Sequence, residues 1–394
     1  MLQLLRVLVA LALASVASAA VAAAKKNLVF LILDDMDSRL GALDVMPHYV
    51  QRLQKEGMTF PNAFVASPKC CPSRTSLLSG RFSHRLNDTG LGWCGDFVAA
   101  KRWNATFIEG VKGAGYRTGL FGKVVNEMGP LCNQKTAHQL PAGFNPAQGD
   151  RYLAMCNEVV YYGNTFNSDG RLITTGARGN ASAYLTAFLG NQTLAWLGSA
   201  AAEAKAGGRP FFAYLAPHAP HFPAEPAPWY ADAPLPSYAA PRPPAYNALR
   251  EGKSWAIREN APFTPFTEQG IDLHFRNRQR TLMSVDDTVR DVFALLEAAG
   301  VADDTYVFAT SDHAYHCQCS SELDKRATSH LTGRCHALLP HTHAPTPPTH
   351  RALAHWQWES TGFPLKSPRP TTWTHGCRSL PAARACPRAP LPLG

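Results

Sequence analysis

Asn27-Leu-Val-Phe-Leu-Ile-Leu33, followed at once by Asp34-Asp35, is the stretch that decides the fold class. An unbroken apolar run ending in two acids suits a strand covered on both faces, as in a mostly parallel sheet. Two more segments read as buried strands of the same kind. Pro210-Phe-Phe-Ala-Tyr-Leu-Ala216 ends at Pro217-His218, and Asp304-Thr-Tyr-Val-Phe-Ala-Thr310 ends at Ser311-Asp312-His313. Gly115-Tyr-Arg-Thr-Gly-Leu-Phe-Gly122 reads as a turn and short strand leading to Lys123. Helices are predicted over 47–57, with Pro47 in the first turn and Gly57 at the end, from about Thr75–Leu78, and over 183–205. A longer amphipathic helix is predicted over 278–299, where Leu282, Val285, Val289, Val292, Leu295 and Leu296 form an apolar stripe closed by Gly300. A Pro-rich loop fills about 220–244. Strands alternating with helices predict an α/β fold, a mostly parallel central sheet flanked by helices. Ligands of such sheets bind at the carboxyl ends of the strands. The polar clusters after Leu33, Ala216 and Thr310 therefore predict one shared site.

The formal charge of +9 does not describe a nucleic-acid face. Residues 331–394 hold seven Arg or Lys against Glu359 alone, and Arg6 sits in the N-terminal leader. About +2 remains for 25–330, so that part is nearly neutral. Residues 1–24 read as a signal peptide: Arg6 is the basic start, Leu8–Val16 the short apolar stretch and Ala17-Ser18-Ala19 a cleavage site. No other stretch reads as a membrane span, so none is expected after cleavage. Sequons at Asn87, Asn104, Asn180 and Asn191 and a total of ten cysteines suit the secretory route. Cys132 and Cys156 are one plausible disulfide pair, although spacing does not fix connectivity. The expected destination is extracellular, or a lysosome or cell-wall space reached by the same route. Past about His330 periodicity stops: eleven of the last 64 residues are Pro, mixed with six His, three Cys and three Trp. Residues 331–394 are read as a disordered tail or as sequence substituted by a gene-model error, the second being favoured because Trp, Cys and His are odd choices for a solvated linker. The irregular spacing of His336, His341, His343 and His350 argues against a built metal site there.

The strongest chemical signal is Cys70-Cys71-Pro72-Ser73-Arg74-Thr75-Ser76-Leu77-Leu78-Ser79-Gly80. This run resembles the sulfatase signature, in which the first Cys is oxidised in the endoplasmic reticulum to formylglycine by a formylglycine-generating enzyme. The resemblance covers roughly 27–326 and is nearest to the N-acetylglucosamine-6-sulfatase and arylsulfatase branch. It implies an alkaline-phosphatase-like sulfatase fold with a catalytic domain over 25–330 and the smaller C-terminal subdomain lacking. It also implies hydrolysis of sulfate monoesters, aryl sulfates or sugar O-sulfates, on small molecules or glycans. The hydrated aldehyde at position 70 would attack sulfur through one hydroxyl, and collapse of the other would expel sulfate.

Residue by residue, the resemblance marks Asp34, Asp35, Cys70, Asp312 and His313 as ligands of one divalent ion, Ca²⁺ on the family pattern. Asp37 reads as a supporting or surface residue. Arg74 would neutralise the hydrated aldehyde. Lys123, in Gly-Tyr-Arg-Thr-Gly-Leu-Phe-Gly-Lys, would contact sulfate. His218, in Pro217-His218-Ala219-Pro220-His221, would protonate the leaving oxygen or bind sulfate, with His221 the weaker rival. Lys325, in Leu323-Asp324-Lys325-Arg326, would bind sulfate. Val125 stands where many arylsulfatases carry His, so Asn126 is a candidate assistant, and Ala314 stands where Gly is usual. Two other readings stay open: a phosphodiesterase or phosphonate hydrolase of the same superfamily, and an inactive truncated sulfatase-like glycan-binding protein.

Overall fold

The structure is a computed structural model that describes residues 25–86, 94, 97–98, 102–126, 128–141, 144–156, 160–244, 246–248, 252 and 262–314. The leader, the 331–394 segment, Asn87 and Lys325 lie outside the described residues.

Seven strands form one sheet: β1 Asn27–Leu33, β2 Arg117–Gly122, β3 Arg151–Met155, β4 Thr165–Ser168, β5 Arg171–Thr174, β6 Phe211–Ala216 and β7 Thr305–Ser311. Their order is β5-β4-β3-β2-β6-β1-β7. The five strands from β3 to β7 in that order pair in parallel, and β4 and β5 add an antiparallel hairpin. Among the described residues the longer helices cover the two faces: α1 Cys70–Ser79, α2 Phe107–Gly113, α3 Leu185–Lys205 and α4 Pro265–Ala298. No helix among the described residues is long and apolar enough to cross a membrane.

Alternation along β1 explains the layers. Val29, Leu31 and Leu33 join one core with Leu189 and Leu197 of α3 and Leu282, Val285 and Val289 of α4. Ile32 joins the other core with Leu78 of α1, Ile108 of α2 and Tyr214 of β6. A continuous apolar run was needed because both faces are buried.

Four sequence expectations change. The helix expected from Thr75 begins at Cys70, so Cys70 occupies its first turn. The helix expected over 278–299 starts at Pro265, where the Thr264 hydroxyl caps the Thr267 N–H and Pro265 takes the first helical position. The segment expected over 47–57 is a short α turn, Pro47–Tyr49, that widens into a π-helix, Val50–Lys55. β7, expected to be buried, is half covered because it lies at the edge of the described sheet; Tyr306 is 58% exposed.

Disulfides join Cys71 to Cys94 and Cys132 to Cys156. Cys70 is the free cysteine among the described residues. Asn104, Asn180 and Asn191, the described sequon residues, are all exposed.

Candidate active site

Every strand from β2 to β7 in the parallel core ends in a polar residue at the same edge: Lys123 after β2, His218 after β6, Asp34 and Asp35 after β1, and Asp312 and His313 after β7. The chain crosses between these ends through backbone bonds. Lys123 N–H donates to Ala216 O at 2.8 Å and Asp312 N–H to Leu33 O at 3.1 Å. Gly122, at φ 100°, turns β2 toward Lys123, and a Cβ there would sit 2.1 Å from Ala216 O. Only glycine allows that approach. Asp35 also has positive φ, 66°, a conformation that Asp tolerates better than most residues. Its N–H donates to Asp312 Oδ1 at 3.1 Å.

α1 brings Cys70 and Arg74 to this edge. Cys70 opens the helix after the extended Lys69, so it sits beside N–H groups that have no intrahelical partner. One helical turn later, Arg74 is completely buried. Its Nε donates to Asp312 Oδ2 at 2.8 Å, one Nη to Asp34 Oδ1 at 3.3 Å and the other to Lys123 O at 2.6 Å. Lys123 Nζ donates to both Asp34 oxygens, at 2.8 and 3.1 Å. His313 Nε2 lies 3.2 Å from Cys70 Sγ and 3.3 Å from Asp35 Oδ1. Oxygens of Asp34, Asp35 and Asp312 lie within 4.8 Å of one another, as do donor atoms of Cys70, Asp312 and His313.

Burial and charge set the protonation states. Burial would raise Asp34, but Lys123, His221 and Arg74 hold it well below the usual carboxylate range. Burial likewise works against Lys123, yet Asp34 and Cys70 hold its ammonium above the ordinary value. Asp312 is raised by burial, which Arg74 only partly offsets while Asp34 adds repulsion. The Cys70 thiol is lowered: burial opposes this, and Lys123 with hydrogen bonds from His221 and His313 outweighs burial. A helix N-terminus and nearby cations are the usual setting of a thiolate.

The two histidines of the Pro-His-Ala-Pro-His run separate clearly. His218 is fully buried behind the acids, with Nδ1 3.0 Å from Asp34 Oδ2. Burial and the charge on His221 push it down to about 4, so it is neutral. His221 faces the cysteine: its Nε2 is 3.7 Å from Asp35 Oδ2, and its donor atom lies within 4.8 Å of those of Asp35 and Cys70. Burial opposes its charge, but Asp35 and Asp34 push it up to about 9. Of the two rings, His221 is thus the one turned toward Cys70, whereas His218 points at the Asp34 carboxylate.

Sequence reasoning missed Arg278. From α4 it donates to Asp35 O at 2.7 Å, Asp37 Oδ2 at 3.1 Å and Pro220 O at 3.3 Å, tying the loop after β1 to the loop after β6. Its signal was an arginine four residues before Leu282, on the same stripe as Val285 and Val289. Asp37 supports this tie, and also accepts from the Arg39 and Leu40 N–H groups.

The donor set fits a divalent cation. Three carboxylates crowd one another with two of them buried at 2% exposure or less, a state that cations stabilise.

The sulfatase family model matches residues 26–351, reaching past Arg326, where the motif resemblance ends. Human N-acetylglucosamine-6-sulfatase is 34% identical over 313 residues, covering 77% of this chain and 54% of that protein. An arylsulfatase of Volvox carteri is 29% identical over 352 residues, covering 79% and 50%. This chain thus spans about half the length of these relatives. A solved protein in complex with its substrate, D-glucosamine-2-N,6-O-disulfate, shares the fold with a TM-score of 0.54 at 20% identity, over 74% of this chain and 66% of that one. With the match extending over most of its length and the Cys70 run meeting the strand-end residues at one edge of the sheet, this chain belongs to the sulfatase family.

Proposed function

We propose that this protein hydrolyses sulfate monoesters, with sugar O-sulfates as the substrate class and the site around Cys70 as the reacting centre. The observation that carries the reading is the placement of Cys70 at the start of α1, 3.2 Å from His313 Nε2, among Arg74, Lys123 and three carboxylates. The named relatives are an N-acetylglucosamine-6-sulfatase and an arylsulfatase, and the first of these favours an amino-sugar sulfate here.

Conversion of Cys70 to formylglycine supplies a hydrated aldehyde, one hydroxyl of which can take sulfate and the other release it. Asp34, Asp35, Asp312 and His313, with the side chain at position 70, would hold a divalent cation, which lowers the pKa of a bound hydroxyl and screens sulfate charge. Ca²⁺ is the ion the family resemblance implies. Lys123 Nζ and the Arg74 guanidinium supply fixed positive charge where charge grows on the sulfate oxygens. His221, charged at neutral pH, can donate its Nε2 proton to the leaving sugar oxygen. His218 backs Asp34 and orients it. Lys325 remains the candidate for a further sulfate contact.

Export fits the same reading. Two disulfides and the exposed sequon residues among the described residues, with the signal peptide read from the sequence, support a secretory route, which also passes the enzyme that makes formylglycine. The test is turnover of a nitrophenyl sulfate and of N-acetylglucosamine 6-sulfate by secreted protein and by Cys70→Ala. Loss of turnover with an unchanged circular dichroism spectrum supports the assignment; activity retained by Cys70→Ala, or activity on neither ester, would overturn it.

A further inference from the structure

An aromatic group that the reaction does not use is packed against the reacting centre. It is built by loops that leave β3, β5 and β6 at the same edge of the sheet. Trp229, in the single-turn helix Pro228–Tyr230, is 48% exposed. Its ring is nonetheless held, because it packs at 75° on the buried Tyr184 with centroids 5.8 Å apart. The next residue, Tyr230, pins the turn by donating its hydroxyl to Asp287 Oδ2 at 2.8 Å. Tyr162 also packs edge to face on Tyr184, at 5.7 Å. Tyr184 donates its hydroxyl to Glu225 O at 3.0 Å, and the Glu225 carboxylate holds Arg178 at 2.7 Å. The same Tyr184 leads to the centre. It stacks on Tyr161 at 5.7 Å, and the Tyr161 ring lies 5.5 Å from that of His218. The Tyr161 hydroxyl donates to His221 O at 2.9 Å. Exposed indole and reacting centre thus share one continuous wall of packed rings.

A single exposed apolar side chain is ordinary. This indole, however, sits on a fixed backbone beside a planar ion pair whose arginine is 74% exposed. Guanidinium and carboxylate cancel each other's charge while keeping donors and acceptors open to solvent. A flat apolar face with a few fixed polar groups suits a sugar ring, whose C–H face lies on the aromatic while its hydroxyls pair with the polar side chains. A pair with no net charge fits hydroxyls better than a second sulfate or a carboxylate. We infer that Trp229, Tyr162 and the Arg178–Glu225 pair form a subsite for a second, uncharged sugar ring, so that the substrate is a sulfated sugar still attached to a glycan chain. The inference rests on the proposed reading of the reacting centre and adds the class of group joined to the sulfated sugar.

The full chain carrying Cys70→Ala, which prevents turnover, is titrated in a calorimeter with N-acetylglucosamine 6-sulfate and with the same sugar linked through its anomeric carbon to galactose. The disaccharide should bind about tenfold more tightly or better. On that background Trp229→Ala should remove the advantage, Trp229→Phe, which keeps a flat ring, should retain most of it, and Arg178→Ala should lower it about threefold. A disaccharide with no advantage, or an advantage that Trp229→Ala leaves intact, overturns the inference. The comparison of the two sugars needs no change at Trp229, so the inference stays open to refutation even where Trp229→Ala fails to fold. The reading of the reacting centre is judged separately, by turnover of N-acetylglucosamine 6-sulfate in protein that keeps Cys70. A disaccharide advantage without such turnover would sink the hydrolysis and leave the subsite standing.

Discussion

Replacing Arg74 with Met removes a charge while keeping most of the side-chain volume, and the structure sets the size of the loss. Arg74 has no exposed surface and donates to Asp312, Asp34 and the Lys123 carbonyl. Removal of one member of a buried pair leaves its partners uncompensated and costs about 3–5 kcal/mol. Against a total stability of about 5–15 kcal/mol, that is a large fraction. At about 2–4 °C per kcal/mol for a domain of this size, the melting temperature should fall on the order of 10 °C. The loss should also depend on pH in a defined direction. Asp312 is already raised by burial, and without Arg74 it takes a proton still more readily. A raised acid costs nothing once protonated and costs most above its folded pKa, so the gap between variant and wild type should widen from pH 5 to pH 8. Thermal unfolding of both proteins across that range is the assay, with Arg85→Met, an exposed arginine, as a control expected to change nothing. A melting temperature for Arg74→Met within about 2 °C of wild type, less than the shift expected from 1 kcal/mol, would refute the view of Arg74 as the hub of the acid cluster. So would a gap that narrows as pH rises.

Three other outcomes follow from single positions. Gly122→Ala places a Cβ against Ala216 O and strains a positive φ, so it should cost at least about 1–3 kcal/mol and reduce turnover through Lys123; wild-type melting and turnover would count against the strand-end geometry. Cys94→Ser opens the bridge that anchors Cys71, next to Cys70, and should cost about 2–4 kcal/mol, measured by denaturant unfolding; an unchanged midpoint would mean the bridge does not constrain α1. His274 is held at about 3 by burial and by the charges of Arg278 and His221, against an ordinary value of 6.5. Its folded pKa is depressed, so its contribution is complete above 6.5 and is lost as pH falls below that value, at up to about 1.4 kcal/mol per pH unit. His274→Gln should therefore show a shallower fall in melting temperature between pH 6.5 and 5, and parallel curves would remove His274 from the acid response.

The sheet was legible wherever burial on both faces forced an apolar run, as in Asn27–Leu33 and Phe211–Ala216. The carboxyl-end rule then located the site, because Asp34, Asp312 and Lys123 follow their strands without an intervening turn. The hairpin of β4 and β5 was not legible: Thr165–Ser168 and Arg171–Thr174 are short, and the second is largely exposed, so neither carries a period. The start of α4 was hidden because Gly270 and the polar residues around it break the stripe, whereas the Thr264-Pro265 cap was the available signal. Which of His218 and His221 turns its ring toward the cysteine is not readable from the order of residues along a loop. That depended on how the loop after β6 folds over Asp34, a tertiary fact.

The central claim is that the side chain at position 70 is the reacting group, made from cysteine and placed among these cations and acids. Peptide mass spectrometry of the secreted protein tests it most directly. The account predicts that the peptide carrying residue 70 has the mass of an aldehyde in place of a thiol and reacts with a hydrazine probe, and that Arg74→Met lowers that fraction. An intact, alkylatable thiol in protein that still hydrolyses sulfate esters would contradict it.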